Sequence, residues 1–507
     1  MTVKTIRGAL TLGLLSATAL PIVAEAQQQP PPAPTYDGPT RRGQVSPDAG
    51  PPPLPPGVAM PGGAPPQGGP GGPPGGPPPG MGAPADVSYV AGVKVIDGRY
   101  ERAQSTPAVV KGARVDDTSI NGLSITSDRG DLNGVLVQGD LSAVTLSDSK
   151  MVLSGIGKDE FAGVGSGAMV TKGVLVLRRV NIDTKGAIRT ALVANDHAIM
   201  KVFDSDVVSH GGPLPSTYVR HIGPGMMEAP PPLGISGTAR TNLTMGQSES
   251  YFYRTRITAD GWGALSTDAT GGYVYLEAND CDIVVNNSGY GTYADGGAHV
   301  AINKSRIKAA TFGAIAAGSG EVRFTDVTGS AGRDAIMIHS VMGNTDEVGR
   351  FMMKGGSFST GEAAILVKSA NADIDLDATT LKSAQGVLVR GIVNDDDNRT
   401  KVNGAKVKGI AVNLKNGGYA GSVVMEDPER PMRVMLAKAQ LVGAIRGATI
   451  DMDEASRWTA DADSDVTLAD PSDVGRIDAR TGVTVRAKGT GIRSTRLPSG
   501  GTLTASR

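Results

Sequence analysis

Short alternations of apolar and polar residues recur along the chain from Val87 onward, and glycine, asparagine, aspartate or serine residues separate them. No long segment repeats its apolar residues every 3.6 positions, as an amphipathic helix would. Alternation with a period of two between turn residues is typical of β-strands. The clearest runs lie at 174–177, 200–203, 251–253, 273–276, 300–302, 322–324, 351–353 and 374–376. The pattern therefore predicts an all-β body.

A second alternating run closes each unit, and its apolar residue recurs at regular distances. Two small residues often precede it, as in Gly-Ala-Leu at 263–265 and Gly-Ala-Ile at 313–315. The aligned residues are Leu265, Tyr293, Ile315, Ile336, Ile365 and Leu388. The steps between them are 28, 22, 21, 29 and 23 residues, and a floor of 21 to 23 fits the coils of a parallel β-helix. A β-sandwich, the main alternative, would show hairpin turns about every 8–12 residues.

The composition fits a narrow solenoid interior. Glycine occurs 70 times in 507 residues and aromatic residues make up only 4%, so small and β-branched side chains must fill the core. Equivalent positions of stacked coils lie about 4.8 Å apart and form ladders of side chains. Trp262, Tyr290 and Phe312 each precede the aligned glycine in three successive coils, and we expect them to stack.

In these respects the chain resembles the right-handed parallel β-helix superfamily, which includes pectin and pectate lyases, polygalacturonases and many secreted proteins. The resemblance covers residues 87–507. It rests on the coil period and on the segments Gly-Trp-Gly-Ala-Leu-Ser-Thr-Asp at 261–268 and Gly-Tyr-Gly-Thr-Tyr-Ala-Asp at 289–295. It implies an all-β, single-stranded right-handed parallel β-helix solenoid. It implies no single activity, because one fold carries many chemistries.

The first 85 residues have a different character. Lys4 and Arg7 precede an apolar stretch at 9–24, and Ala-Glu-Ala at 24–26 offers a cleavage site, as in a secretory signal peptide over residues 1–26. About 16 apolar residues interrupted by Pro21 are too few to span a bilayer, so we expect this segment to be removed. Residues 27–85 are predicted to form a disordered Pro/Gly-rich linker, because 21 of the 33 prolines fall between 30 and 84.

The sequence therefore predicts a secreted or periplasmic protein with no transmembrane segment in the mature chain. With 49 basic and 50 acidic residues, the net charge gives no basis for a nucleic-acid partner. A polysaccharide or another extracellular ligand is the expected partner.

Residues 86–507 are predicted to form the β-helix domain, with capping coils near 424–507 that close the open end of the solenoid. The coil pattern breaks once, at 209–244, where an inserted loop contains Met226, Met227 and three prolines at 230–232. Long irregular segments in a compact solenoid are usually functional or disordered. The insert is therefore either an apolar wall over a groove or a floppy loop.

A functional site in a β-helix is formed by one column of side chains across adjacent coils. If the aligned apolar residues point inward, the residue three positions later faces outward. This column contains Asp268, Gly296, Gly318, His339, Lys368 and Gly391. Asp295 falls one position early, but a one-residue deletion after Tyr293 would place it beside Asp268. The insert brings Arg240 near the same end.

Asp268 and Asp295 are therefore the first candidates for catalytic residues. Two carboxylates about 5 Å apart on adjacent coils repel each other, so one can hold a proton while the other stays ionised. Such a pair suits a retaining glycosidase or a lyase that abstracts a proton. His339 is predicted to be an auxiliary proton relay, and Arg240 to hold an anionic group such as a uronate carboxylate.

Trp262, Tyr290 and Tyr293 are the candidate substrate-binding residues, because their rings can stack on sugar rings. A structural interpretation is equally open at this point. Aspartate and glycine commonly end strands at the corners of coils. The aromatic residues can equally form a packing ladder.

The sequence requires no cofactor. The five histidines show no metal-ligand spacing, and the single cysteine, Cys281, lies between two aspartates that would raise the pKa of its thiol. The acidic run at 395–398 can attract Ca²⁺, but it lacks the glycine and distal glutamate of a known calcium loop, so calcium stays unsupported. Polygalacturonases place Gly-His-Gly between a paired-aspartate element and Arg-Ile-Lys. Here Asp-Cys-Asp at 280–282 and Arg-Ile-Lys at 306–308 enclose no such element.

Three functions are compatible with these features. The first is a carbohydrate-active enzyme, a lyase or hydrolase, that acts on an acidic polysaccharide through the carboxylate pair. The second is a non-catalytic adhesin or structural solenoid at the cell surface. The third is a proton-transfer enzyme, a lyase or isomerase, that acts on a small metabolite. The first is the function that we predict, and the other two are alternatives. The third depends on the same residues as the first, so the sequence does not separate these two.

Overall fold

The computed structural model describes residues 87–506, apart from 224, 270–271, 341–345, 394–406 and 492. The predicted signal peptide, the predicted linker and the acidic run at 395–398 lie outside the described residues. No helix within the described part of the chain is long and apolar enough to cross a membrane.

The described chain forms a parallel β-helix, as the coil period predicts. Strands of successive coils pair in parallel and in register, and each full coil contributes to three sheets, here called sheets 1, 2 and 3. Sheet 1 contains Val90–Ile96, Leu132–Gln138, Ala168–Thr171, Leu192–Asn195, Arg240–Met245, Phe312–Ala317, Ile336–His339, Ile365–Lys368, Val387–Ile392 and Ser422–Met425.

Sheet 2 follows sheet 1 within each coil. It contains Ser119–Asn121, Ile199–Phe203, Glu249–Tyr253, Val274–Asn279, Ala298–Asn303, Glu321–Thr325, Val348–Lys354, Asn371–Asp377, Ile410–Lys415, Met432–Ala437, Ser464–Leu468, Thr484–Lys488 and Thr502–Ala505. Sheet 3 contains Ser124–Ser127, Asp206–Ser209, Arg306–Ala309, Thr328–Ala331, Ser357–Thr360, Thr380–Ser383, Gly418–Ala420, Gln440–Val442, Arg457–Ala460 and Ile477–Ala479.

Some strands are long enough to turn a corner and belong to two sheets. These are Ala143–Ser154, Val174–Lys185, Arg256–Asp268, Asp282–Ala294 and Ile445–Met452. The remaining strands are Arg99–Tyr100, Val110–Lys111, Arg114–Val115 and Ser494–Arg496, and the 3-10 helices are Pro107–Val109, Pro231–Leu233 and Pro471–Arg476. The antiparallel pairs lie near the two ends of the described chain, where they terminate the parallel ladders.

A ladder of charged residues marks the corner between sheets 2 and 3. Each member has a positive φ between 46° and 52°, which makes the tight turn, and the sign of the charge alternates from coil to coil. The members are Asp148, Arg179, Asp204, Arg254, Asp280, Lys304 and Asp326. Arg179 lies 2.7 Å from Asp148, and Arg254 lies 2.7 Å from Asp204. The alternation replaces repulsion between stacked like charges with exposed ion pairs, each of which stabilises the fold only slightly.

Cys281 belongs to a second column, formed by the residues that directly follow members of the charged ladder. Ser205 and Ser305 each donate through Oγ to the carbonyl oxygen two residues earlier, at 2.7 Å. Cys281 makes the same contact from Sγ to the carbonyl oxygen of Asn279 at 3.3 Å. Burial raises the pKa of the Cys281 thiol to about 12, with a smaller contribution from Asp280. Cys281 is therefore a structural member of this hydroxyl column.

Replacing Cys281 by serine should therefore be tolerated. The hydroxyl of Cys281→Ser can donate to the carbonyl of Asn279 as its neighbours do, so we expect the free energy of unfolding to change by less than about 1 kcal/mol. Thermal or denaturant unfolding of the variant measures this. A loss of several kcal/mol would contradict the structural equivalence of Cys281 with Ser205 and Ser305.

The register corrects the sequence alignment of the closing strands. Tyr293 pairs with Ile315 and Ile336 pairs with Ile365, as aligned. The three other pairs are displaced by one residue, to Leu265–Thr292, Ile315–Met337 and Ile365–Val389. A β-bulge between Val387 and Val389 interrupts the next pairing of this strand, with Ser422–Met425. A one-residue slip exchanges the two faces of a strand, so Tyr293 and Ile315 lie outside the interior cluster that contains Leu265 and Ile336.

Candidate functional site

The outer face of sheet 1 carries two neighbouring columns of side chains. The first is mainly apolar and contains Leu243, Ser266, Tyr293, Ile315, Met337 and Leu366. The second, here called the polar column, contains Met245, Asp268, Asp295, Ala317, His339, Lys368 and Ile392. Because adjacent coils lie about 4.8 Å apart, the polar column forms a continuous row across several coils.

An inserted loop, described at 210–223 and 225–239, packs against part of the apolar column. Its residues Ala229, Leu233 and Ile235 are buried in one cluster with Phe312 and Met337 of sheet 1. The loop is therefore packed against the sheet. This packing favours the interpretation of the insert as an apolar wall. Ile315, Met337 and Leu366 of the apolar column are buried in this cluster, whereas Tyr293 stays half-buried.

The predicted bounds of the insert, 209–244, are wrong at both ends. Ser209 ends a strand of sheet 3 and Arg240–Met245 is a strand of sheet 1. The second strand is hard to recognise because it carries polar residues, among them Asn242 and Thr244. Both are buried, and Thr244 Oγ1 donates to Ser250 Oγ at 2.7 Å.

Asp268 and Asp295 come together as the sequence predicted, although by a different alignment. Ser266 pairs with Tyr293, and the same register continued for two residues places Asp268 alongside Asp295. Thr267 fixes the connection, because its Oγ1 donates to the carbonyl of Tyr293 at 2.9 Å and accepts from the amide of Asp295 at 3.1 Å. Both carboxylates are half-buried.

The carboxyl group of Asp295 resists ionisation. Burial, and next the negative charge of Asp268, raise the pKa of Asp295 to about 7. The backbone N–H groups of Gly296 and Ala269 and the charge of Arg240 oppose this shift. Asp295 can therefore hold a proton near neutral pH.

Arg240 does not have the role that the sequence suggested. Its guanidinium donates to Glu160 through Nε at 3.0 Å and through Nη2 at 2.8 Å, and the two residues are only 5% and 3% exposed. The guanidinium also lies 4.4 Å from the ring centroid of Trp262. This buried ion pair leaves Arg240 inaccessible to a substrate anion, so we treat it as a structural residue that lends positive potential to Asp295.

Two of the three aromatic candidates are also structural. Trp262 is 2% exposed and Tyr290 is 1% exposed, and both belong to the cluster under the loop. A Cβ on Gly263 would lie 2.0 Å from the ring of Tyr290, so glycine is needed there. Trp262 pairs with Gly289 rather than with Tyr290, whereas Tyr290 pairs with Phe312. Only Tyr293 is half-buried and borders the polar column.

His339 lies in the polar column, but two coils from Asp295 with Ala317 between them. Two coil spacings, about 10 Å, are too long for direct proton transfer between the two side chains. Burial, and next the charge of Lys368, lower the pKa of His339 to about 4, so its imidazole is neutral near pH 7. The relay predicted for His339 is not supported by this geometry.

A cavity of about 420 Å³ was not predicted from the sequence. Its lining includes Gln138, Thr171 and Asn195, which continue the polar column beyond Met245, together with Asp97 and Lys172. Amide, hydroxyl and charged groups converge there. In the sequence, this cavity is indicated only by polar residues at the ends of three strands. Polar residues are common at turns, so they do not indicate a cavity by themselves.

No group of three or more histidine, cysteine, aspartate or glutamate residues within the described ranges is arranged to hold a metal ion. Comparison of the chain with known protein families, with curated proteins and with solved structures found no match. What the structure establishes is the parallel β-helix fold.

Proposed function

We propose that this protein cleaves glycosidic bonds in a polysaccharide, with Asp295 as the general acid and Asp268 as the second carboxylate. The observation that carries the proposal is the pair itself. Two half-buried carboxylates lie on adjacent coils of one outer column, and one has its pKa raised to about 7. Pairs whose environments separate their pKa values are the usual acid and base of such enzymes.

The spacing favours a double displacement. Carboxyl groups about 5 Å apart match a retaining enzyme, because no room is left for water between them and the anomeric carbon. Asp295 donates its proton to the glycosidic oxygen while Asp268 forms a bond to the anomeric carbon, and the carbon–oxygen bond breaks. The ionised Asp295 then takes a proton from water, whose oxygen displaces Asp268 and regenerates both groups.

The length of the polar column favours a polymeric substrate. Sugar units repeat at about the spacing of the coils, so one unit can lie over each coil. The cavity at Gln138 and Asn195 offers further polar contacts upstream. We assign the recognition of acidic sugars to two lysines. Lys172 lines that cavity and pairs there with Asp196 at 3.5 Å, and Lys368 donates through Nζ to the carbonyl of Pro232 at 3.3 Å. An acidic polysaccharide outside the cell also agrees with the predicted signal peptide.

A reducing-end assay with parallel absorbance at 235 nm, on uronate and neutral polysaccharides, tests the proposal. New reducing ends without absorbance are expected. Reducing ends with absorbance would replace hydrolysis by β-elimination at the same carboxylates. Neither signal on any polysaccharide would contradict the proposal and favour a non-catalytic solenoid or a small-molecule enzyme.

The cavity should matter for long substrates only. Asn195 lies about two coils from Asp268, so Asn195→Ala should raise KM for a polymer about tenfold and leave kcat on a disaccharide substrate unchanged. Steady-state kinetics with oligosaccharides of increasing length measures this. Asn413→Ala, a half-buried asparagine on sheet 2, is the control and should change neither value. An equal effect of Asn195→Ala on all lengths would exclude a distal subsite.

A further inference from the structure

A row of aromatic rings crosses the outer face of sheet 2, the wall that follows sheet 1 in each coil. The chain is only 4% aromatic and has 11 tyrosines, yet four of these lie in this one region. The rings belong to Phe203, Tyr251, Tyr253, Tyr273 and Tyr275. We call the part formed by Tyr251, Tyr273 and Tyr275 the tyrosine face.

The rings of the tyrosine face are ordered by the register of the strands. Tyr251 pairs with Glu277 and Glu249 pairs with Tyr275, so the two tyrosines lie diagonally across adjacent coils. Their ring centroids are 5.7 Å apart. The ring of Tyr273 continues the row, with its centroid 6.4 Å from that of Tyr275 and its plane within 6° of parallel.

Carboxylates fix the orientation of two of these rings. Tyr251 donates its hydroxyl to Glu249 at 2.8 Å, and Tyr275 donates to Glu277 at 2.5 Å. Glu277 also accepts from the amide of Asn279 at 2.7 Å. An ionised carboxylate has about four acceptor positions, so both glutamates can accept further hydroxyl groups. Flat rings beside hydrogen-bond acceptors are the components of a sugar-binding surface.

The solvent exposure of Tyr273 distinguishes the tyrosine face from a ladder of aromatic rings that only pack against each other. Phe203 is 4% exposed and stacks on Tyr253 at 4.9 Å, as packed cross-strand neighbours do. Tyr273 is 40% exposed and lies just before its strand. It packs against Tyr275 and His299 on the surface instead of the interior. A large exposed ring of this kind contributes little to the core.

We propose that the tyrosine face binds a neutral glycan chain at a site separate from the polar column. The rings offer apolar surfaces to the C–H faces of sugars, and the glutamates accept their hydroxyl groups. Charge decides the class of glycan. Glu249 and Glu277 accept hydrogen bonds directly from the rings of the tyrosine face. Lys201 lies farther away, with Nζ 5.8 Å from the ring centroid of Tyr251, and Arg323 is already paired with Glu321. This balance disfavours a polyanion.

This inference does not depend on the proposed cleavage activity. Sheets 1 and 2 are different walls of the same coils, and binding to the tyrosine face uses neither carboxylate of the pair. A neutral glycan bound to sheet 2 would hold the protein on its polymer while the polar column acts on a second chain. Binding can therefore be measured whether or not cleavage is found.

Affinity electrophoresis of the full chain in gels that contain soluble β-glucan, galactomannan or polygalacturonate tests the inference. We expect at least one neutral polymer to retard the protein, and Tyr273→Ala to weaken this retardation at least tenfold without changing Tm. Tyr273→Trp should restore it. Met435→Ala is the control, because Met435 is 36% exposed on the same sheet but in distant coils.

Three results would overturn the inference. The first is the absence of retardation by either neutral polymer. The second is retardation that persists in the variant with Tyr251→Ala and Tyr273→Ala combined, measured at a temperature where circular dichroism shows it folded. The third is retardation by polygalacturonate that Tyr273→Ala abolishes, because the ligand would then be acidic. Retention of neutral-glycan binding by Asp295→Asn would show that this surface is independent of the carboxylate pair.

Discussion

Asp295→Asn should abolish glycosidic cleavage and at the same time stabilise the protein at alkaline pH. The amide cannot donate the proton that the leaving oxygen needs, so kcat should fall by about 10³-fold or more. The stability gain has a separate cause. Burial and the charge of Asp268 make ionisation of Asp295 costly in the folded state, and the amide carries no charge.

The pH window of this gain follows from the direction of the shift. The folded-state pKa of Asp295 is raised to about 7, so the folded protein holds the proton more tightly than the unfolded chain does. Stability of the wild type therefore falls as pH rises from about 4 to about 7 and stays lower above that. Asp295→Asn should raise the free energy of unfolding by about 1–3 kcal/mol at pH 8 and leave it nearly unchanged at pH 4.

Asp334 offers a matched control. Burial raises the pKa of its carboxyl group to about 7 as well, but Asp334 lies outside the polar column. Asp334→Asn should stabilise the protein at pH 8 in the same way and leave cleavage intact. Kinetics and thermal unfolding at pH 4 and pH 8 separate the two variants. Full activity of Asp295→Asn would eliminate Asp295 as the acid.

Glu160→Gln should cause a large loss of stability. It leaves the guanidinium of Arg240 buried at 5% exposure without its counter-charge, and breaking such a pair from one side costs about 3–5 kcal/mol. The unbalanced positive charge should also lower the pKa of Asp295. The alkaline limit of cleavage should therefore move to lower pH, because Asp295 loses its proton earlier.

Denaturant unfolding and a pH–rate profile measure the two effects of Glu160→Gln. Glu228→Gln is the control, because Glu228 forms a similar pair with Arg220 whose side chain is 62% exposed. It should leave Tm unchanged, since water screens exposed pairs. Equal changes in unfolding stability for the two variants would mean that the Glu160–Arg240 pair does not stabilise the fold as a buried ion pair.

The fold could be predicted from the sequence because the same residue pattern recurs in each coil of a solenoid. Each coil carries the same small and apolar residues at a spacing of 21 to 23 residues or more, so many weak signals add. The register of the strands could not be predicted from the sequence. A single β-bulge, such as that at Val387 and Val389, shifts a strand by one residue without changing its composition. A shift of one residue was enough to interchange the inside and outside positions of Tyr293.

The part of the candidate site that could be predicted is the part formed by residues at equivalent positions of neighbouring coils. Asp268 and Asp295 are brought together by the coil period, which the sequence contains. The partner of Arg240 is 80 residues away in a loop, and no local pattern connects it with Glu160. Burial of Trp262 and Tyr290 depends on the loop that covers them, and the sequence leaves its position open. The tyrosine face had a signal, since Tyr273 and Tyr275 stand at alternate positions of the sequence.

The most direct test of the carboxylate pair is the titration of Asp295 itself, by carboxyl ¹³C NMR of aspartate-labelled protein. The resonance is identified by its loss in Asp295→Asn. We expect it to titrate near pH 7, and its pKa to fall by more than one unit in Asp268→Asn, because the neighbouring charge is then gone. A resonance that titrates near pH 4 and does not respond to Asp268→Asn would contradict the account.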